Sequence, residues 1–327
     1  MIRSRITGTG SYAPEKVITN HDLEAMVDTT DDWISMRTGI KERHVSDKET
    51  STDMAVKASQ AALKSAGVKA KHIDLIVVGT VTPDMTFPST ACYVQAGLGV
   101  RGGAAAFDVS AACSGFLYAL DIADKYMKAG ASKKALVIGV DQFSRIIDLQ
   151  DRSTCVLFGD GAGAVVLEAA EDSESGILSS HIHSDGRQWE LLYAPGAIQP
   201  SPFETRPAVA PYLKMQGNET FKIAVRTMES AVAETLKRNG LKVDDVALVI
   251  PHQANQRIIK ATRERLKLPD EKVFMNLEKY GNTSAASIPL ALDEAARAGR
   301  IKKGDLVVFV AFGGGLTWAS AAVRWYG

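Results

Sequence analysis

The sequence predicts an α/β protein in which one set of helix–strand units occurs twice. Three echoes predict it. ALKSAGVKAKHIDLIVVG (62–79) aligns without a gap with TLKRNGLKVDDVALVIPH (235–252) at an offset of 173. Leu63/Leu236, Lys64/Lys237, Gly67/Gly240, Lys69/Lys242 and Leu75/Leu248 are identical. FLYALDIADKYMKAGASKKALVIGV (116–140) resembles SIPLALDEAARAGRIKKGDLVVFV (287–310), each with Ala-Leu-Asp, then Ala-Gly, then Lys-Lys. FGDGAGAVVL (158–167) resembles FGGGLTWASAAV (312–323). The echoes keep the same order, which sets them apart from the helix–glycine–strand units of any α/β chain.

Each element follows from its residues. The first echo reads as an amphipathic helix, a glycine stop, a short loop and a buried strand. The second reads as a helix returning to a β-branched strand, the third as a glycine-rich turn entering a strand. Helices alternating with apolar strands predict sheets covered by helices. The acidic, small-residue run EAAEDSESG near 170–177 places the join, giving halves 1–172 and 173–327. APGAIQPSPFETRPAVAP (194–211) holds five of the eleven prolines and reads as a loop excursion.

Composition sets outer limits. The 327 residues are 46% hydrophobic and 23% charged, with 38 Lys+Arg against 38 Asp+Glu. That content supplies a large core and excludes disorder. A net charge of zero argues against nucleic acid as the main partner. No apolar run approaches the roughly 20 residues of a membrane span. MIRSRITGTGSYAPEK lacks a signal peptide's apolar stretch, and three cysteines form no disulfide framework, so a reducing cytoplasm is expected.

Chemistry concentrates where strands end. In DVSAACSGFLYALD a strand stops, small residues turn the chain, and a helix begins near Cys113. A helix start favours a thiolate, whereas many free cysteines are buried and inert. Cys92, in a helical context, and Cys155, in a strand-like one, read as packing. His252 ends the strand VALVIPH, where open α/β sheets place ligand groups. Asn282 lies in KYGNTSAASIPLALD, the second half's counterpart of the turn before Cys113, or is simply a turn residue. His181 and His183 alternate without a third ligand at metal spacing. The turns GDGAGA (159–164) and FGGG (312–315) run into strands, unlike a dinucleotide fingerprint, and could line an oxyanion hole.

DVSAACSGF, PHQANQRI, GNTSAAS and AFGGGLTW, together with TTDDWISMRTGI, TFPSTAC, DRSTCVLFGDGAGA and MQGNETFK, resemble the β-ketoacyl-[acyl-carrier-protein] synthase III family over essentially the whole chain. The resemblance implies a thiolase-like fold: two α/β halves related by a pseudo-two-fold, in αβαβα layers, as a homodimer. It implies that Cys113 takes an acyl group from a short acyl-CoA, most simply acetyl-CoA. Malonyl-acyl carrier protein then loses CO2, and its enolate attacks the acyl-cysteine. His252 and Asn282 would hold the enolate oxygen, and the Cys113 and Gly314 amides the acyl-transfer oxyanion. Trp33, Arg37, Arg152 and Asn255 would hold CoA, and Phe87 and Phe312 the acyl pocket, Phe87 by crossing the dimer interface and Phe312 by excluding water from the triad. Gln253, Ala254, Asn255, Gln256, Arg257, Lys222 and Arg265 would meet the acidic carrier protein. No metal or organic cofactor, nucleic acid or membrane is implied.

Three rivals stay open. A papain-like hydrolase shares the order Cys…His…Asn and its spacing. A condensing enzyme of secondary metabolism would share the triad and use another acceptor. A non-catalytic relative would bind the carrier protein only.

Overall fold

The computed structural model describes residues 2–171, 174–196, 203 and 210–327. Most of the segment 194–211, and the proposed join between 172 and 173, lie outside the described residues.

Among the described residues, the first half builds one five-stranded sheet from β1 (Arg3–Tyr12), β2 (Leu75–Gly79), β3 (Ala105–Val109), β4 (Lys134–Gln142) and β5 (Asp160–Ala170), in the order β1-β5-β4-β2-β3. The second half builds a four-stranded sheet from β6 (Gly176–Ser184), β7 (Leu248–Pro251), β8 (Leu306–Gly313) and β9 (Thr317–Arg324), in the order β7-β8-β9-β6. The echo is topological. β2–β4 and β7–β8 are parallel, while β4–β5, β5–β1, β8–β9 and β9–β6 are antiparallel. Val273 pairs with Val249 in a single parallel bridge, standing where β3 stands in the first half.

Among the described residues, the α-helices of eight or more residues are α1 (Asp31–Thr38), α2 (Ser51–Ala66), α3 (Thr90–Leu98), α4 (Gly115–Lys128), α5 (Gly217–Arg238), α6 (Gln256–Arg265) and α7 (Ser287–Arg297). A capping box of Thr50 and Asp53 starts α2, and Gly67 ends it at φ 66°. Its repeat partner Gly240 follows α5 at φ 65°. Both glycines adopt the left-handed conformation that β-carbons oppose, so the helix stop read from sequence has a backbone cause.

Strand side chains alternate between layers. Leu75 and Val77 join Phe116, Leu120, Ile288, Leu292 and Phe309 in a central layer containing α4 and α7. Ile76 and Val78 face outward to Met54, Ala58 and Ala62 of α2. Val308 and Val310 face outward to Met228 and Val232 of α5. Strands buried on both faces explain why they read as continuous apolar runs. Gly10 of β1 permits this closeness, because a β-carbon there would sit 2.2 Å from the Ala62 amide nitrogen.

The repeated Ala-Leu-Asp has a structural meaning that the sequence does not display. Each aspartate reaches from its own half's inner helix to the other half's first strand. Asp121 of α4 accepts from Ser180 of β6 at 2.6 Å. Asp293 of α7 accepts from Thr9 and Ser11 of β1, both at 2.7 Å. Lys125 and Arg297, one helical turn on, pair with these carboxylates. Asp293→Ala strands the Thr9 and Ser11 hydroxyls, so urea unfolding should show a loss of about 3 kcal/mol. A loss below about 1 kcal/mol would mean that water replaces the carboxylate at no cost.

Candidate active site

The site forms where the two halves meet. After β3 the chain makes a tight turn over Ala112–Ser114 before α4 begins at Gly115. The second half makes the same turn at Ser284–Ala286 before α7. Ala112 and Ser284 both take left-handed conformations, at φ 46° and 51°. Such strain in non-glycine residues costs about 1–3 kcal/mol and persists only where surroundings enforce it. Thr317 donates to the Ala111 carbonyl at 2.9 Å, and Ser114 donates to the Thr317 carbonyl at 3.2 Å. Gly313 packs against the cysteine itself: a β-carbon there would lie 2.7 Å from the Cys113 nitrogen.

Cys113 is buried, and burial pushes its thiol up to about 12. Ser284 Oγ, 3.6 Å from Sγ, opposes that shift, and the Asp141 charge adds to it. The resting group is therefore a thiol, against the expectation that a helix start would favour the thiolate. The helix proper begins only at Gly115, and desolvation outweighs its dipole.

His252 follows β7, its amide donating to the Val310 carbonyl at 2.8 Å. Burial holds the imidazole down at about 3, so it is neutral. Its Nδ1 lies 2.7 Å from Ser287 Oγ, at the start of α7. Ser287 Oγ also accepts from the Gln253 N–H at 3.4 Å, and a Ser287 hydroxyl donating to Nδ1 would place the ring proton on Nε2.

Asn282 is fixed by its backbone between the Leu157 carbonyl (2.8 Å) and the Gly159 amide (3.1 Å). Its Oδ1 accepts from the Ser284 N–H at 2.9 Å. The amide's NH2 end thus remains available as a donor. Cys113, His252, Asn282 and Phe312 line one cavity of about 440 Å³.

Trp33, Arg37, Arg152 and Asn255 line the same cavity toward its mouth. The Arg37 and Arg152 guanidiniums each sit 4.7 Å from the Trp33 ring centroid. A flat base between Trp33 and Arg152 needs roughly 7 Å, two van der Waals separations, so Arg152 must swing out to admit one. Asn255 caps α6, accepting from the Arg257 amide at 2.8 Å and donating to the Arg37 carbonyl at 3.2 Å.

A second cavity, of about 800 Å³, opens on the other side of Cys113. Residues 81–86, Phe143, Leu192, Tyr193 and Gly314 line it. Phe312 lines the first cavity with Cys113, His252 and Asn282, and Phe87 is 83% exposed on its own chain.

Other expectations need correction. Gln253 cannot face a carrier protein. It is buried, donating to the Pro251 and Phe274 carbonyls and accepting from the Asn276 amide. Lys222 pairs with Glu219, and Arg265 with Glu229. Arg257 is exposed over the Phe221 ring, and Ala254 and Gln256 are half-buried. The expected basic patch is thus partly neutralised within the chain. Cys155 is buried in a helical turn (Arg152–Cys155) rather than a strand, and Cys92 is exposed rather than packed. His183 pairs with Glu234 and stacks on Trp318. The polar residues missed by sequence reasoning are Ser284, Ser287 and Asp141. The two serines lie inside GNTSAAS, where only Asn282 was singled out. Asp141 ends an apolar strand with no local signal at all.

Two like halves presenting a buried thiol, a neutral imidazole and an amide at their junction define a thiolase-like protein. Residues 107–186 match the family 3-oxoacyl-[acyl-carrier-protein (ACP)] synthase III, and residues 236–325 match that family's C-terminal region. The β-ketoacyl-[acyl-carrier-protein] synthase III of Alkalilimnicola ehrlichii is 56% identical over 99% of this chain and 100% of its own. A crystal structure of 3-oxoacyl-[acyl-carrier-protein] synthase III from Aquifex aeolicus is 52% identical and superposes with a TM-score of 0.93, covering 98% of this chain and 100% of that one. The priming β-ketosynthase of the R1128 polyketide pathway is 37% identical, with a TM-score of 0.92, covering 99% of this chain and 96% of that one. The chain belongs to the β-ketoacyl-[acyl-carrier-protein] synthase III family and is an acyltransferase.

Proposed function

We infer that this chain condenses a short acyl-CoA with malonyl-acyl carrier protein, giving a β-ketoacyl-carrier protein, CoA and CO2 and so initiating fatty-acid synthesis. The observation that carries the reading is the convergence of Cys113, His252 and Asn282 on one cavity whose mouth carries Trp33 and two guanidiniums. Cys113 attacks the acyl-CoA thioester and keeps the acyl group reactive as a new thioester. The amides of Cys113 and Gly314 hold the tetrahedral oxyanion. CoA then leaves, and the malonyl group occupies the same arm of the cavity. His252 Nε2–H and Asn282 Nδ2–H hold the thioester oxygen as CO2 departs, and the enolate attacks acyl-Cys113. Loss of CO2 supplies the carbanion's electron pair, so the scheme asks for no metal or organic cofactor.

The hydrogen bonds oppose the hydrolase reading. In a Cys-His-Asn hydrolase the asparagine orients the histidine. Here Ser287 orients His252, while Asn282 is bound to the Ser284 amide. Arg257, Ala254, Gln256 and the outer faces of α5 and α6 are the surface we assign to the carrier protein. The 37% identity with the polyketide priming synthase keeps a secondary-metabolism acceptor as a second reading.

Incubation with a panel of acyl-CoAs should add one acyl mass to Cys113, and malonyl-acyl carrier protein should discharge it as β-ketoacyl product. Discharge by a different acceptor, with malonyl-acyl carrier protein inert, would transfer the assignment to the second reading.

We also assign the dimer contact to β3. It forms the edge of its sheet and is only half-buried, and Met85 and Phe87 are exposed on the loop between β2 and α3. An apolar sheet edge pairs readily with a second copy. A copy seated there would bring its Phe87 loop toward its partner. Light scattering showing only the 35.1 kDa chain mass would rule the dimer out.

A further inference from the structure

Asp141, near the end of β4, is fully buried beside the site, and the condensation scheme gives it no task. One of its oxygens accepts from the Val81 amide (2.8 Å) and from the Thr80 and Thr82 hydroxyls (3.1 and 3.0 Å). The other accepts from the Ala285 amide at 3.1 Å. That second contact sets the carboxylate against the residue that follows Ser284, close enough for the Ser284 hydroxyl to favour its charged form. The same hydroxyl lies 3.6 Å from Cys113 Sγ.

Ser284 is held in place from both sides. Its own N–H is bound by Asn282 Oδ1, and the next amide by Asp141. Those bonds enforce φ 51°, a conformation that serine enters only at a cost. The strain sets a hydroxyl between a nucleophilic thiol and a buried carboxylate.

We propose that Ser284 passes the Cys113 thiol proton to Asp141 during acyl transfer and returns it after condensation. The proposal rests on the reading of Cys113 as nucleophile. As the sulfur–acyl bond forms, the S–H bond breaks and its electron pair stays on sulfur. The proton moves to Ser284 Oγ while the serine's own proton moves to an Asp141 oxygen. CoA leaves as thiolate and takes a proton from water. After condensation the Cys113 sulfur leaves the acyl carbon as thiolate, and the two hops run backward. Each turnover thus draws one proton from solvent. Burial raises the Asp141 carboxyl, which makes it a better acceptor than an exposed carboxylate.

The two half-reactions test it. Acylation of Cys113 by acetyl-CoA is followed by rapid quench and intact mass from pH 6 to 9, and discharge by mixing pre-acylated enzyme with malonyl-acyl carrier protein. Ser284→Ala should acylate about 10²-fold more slowly near pH 7. Its rate should climb with pH, because the proton must then leave to solvent. Discharge, read as β-ketoacyl product in a single turnover, should stay within about threefold of wild type, since the proton returns only after product has left the sulfur and the Asn282 contact uses only the backbone of residue 284. Ser284→Gly, which suits the left-handed backbone, should behave alike and shows that misfolding is not the cause. Wild-type acylation in both variants, or equal slowing of both half-reactions, would overturn the relay. Absence of acyl mass on wild-type Cys113 would instead overturn the nucleophile reading, and the relay with it.

Discussion

Cys113→Ala is expected to lower condensation by roughly 10⁴–10⁶-fold, the scale on which an enzyme loses its covalent nucleophile. The loss should fall on one half-reaction only. His252 and Asn282 are held by Ser287, Ser284 and the Leu157–Gly159 segment, none of which needs the thiol. Malonyl-acyl carrier protein should therefore still lose CO2 in this variant, giving acetyl-carrier protein with no condensed product. Mass spectrometry of the carrier protein reads both species. Loss of decarboxylation together with condensation would show that the acyl-cysteine organises the oxyanion donors.

His252→Ala should divide the reaction in the opposite sense. Removing one oxyanion donor costs about 10²–10³-fold. Discharge of pre-acylated enzyme should fall by that factor, while acylation of Cys113 by acyl-CoA survives in large part. Collapse of acylation as well would make His252 a base for the thiol. The pH dependence offers an independent check. With the folded imidazole held at about 3, His252 stays neutral across pH 5–9. Discharge in the wild type should show no acid limb from this residue in that range. The same depression carries a stability consequence. An unfolded histidine titrates near 6.5, above the folded value, so the unfolded chain binds the extra proton between about 6.5 and 3. The contribution of His252 to stability is therefore complete above about 6.5 and falls as the pH drops toward 3. In His252→Ala that part of the pH slope of urea unfolding should disappear.

The elements were legible because their causes are local. Gly67 and Gly240 end their helices through backbone conformation, and the runs at 75–79 and 248–251 read as buried strands because helices cover both faces. The echoes registered the duplication because both halves solve the same packing problem. Cys113, His252 and Asn282 were found for a related reason. Each lies at a strand end or helix start, where a polar residue among small ones stands out, and family resemblance then assigned their roles. The expectations that failed concerned side-chain direction. Gln253 follows a catalytic candidate in sequence but turns into the protein, because the Pro251 and Phe274 carbonyls need a donor there. Cys92 was read as packing, yet its side chain is exposed.

By itself the sequence determined the α/β class and the repeated units and marked Cys113, His252 and Asn282 as candidates, because periodicity, glycine stops and motif spacing are short-range properties of the chain. Tertiary structure alone decided the rest. The meaning of the repeated aspartates, Asp121 to Ser180 and Asp293 to Thr9 and Ser11, depends on strands well over a hundred residues away or across the join. The protonation of Cys113 and His252 was set by burial, which outweighs a helix dipole and which no local pattern displays. Asp141 and the Ala285 amide meet across 144 positions of sequence (285 − 141), because the turn at Ser284–Ala286 packs against the end of β4. Desolvation and side-chain direction arise only when distant segments close around a group, and for that reason they had no trace in the sequence.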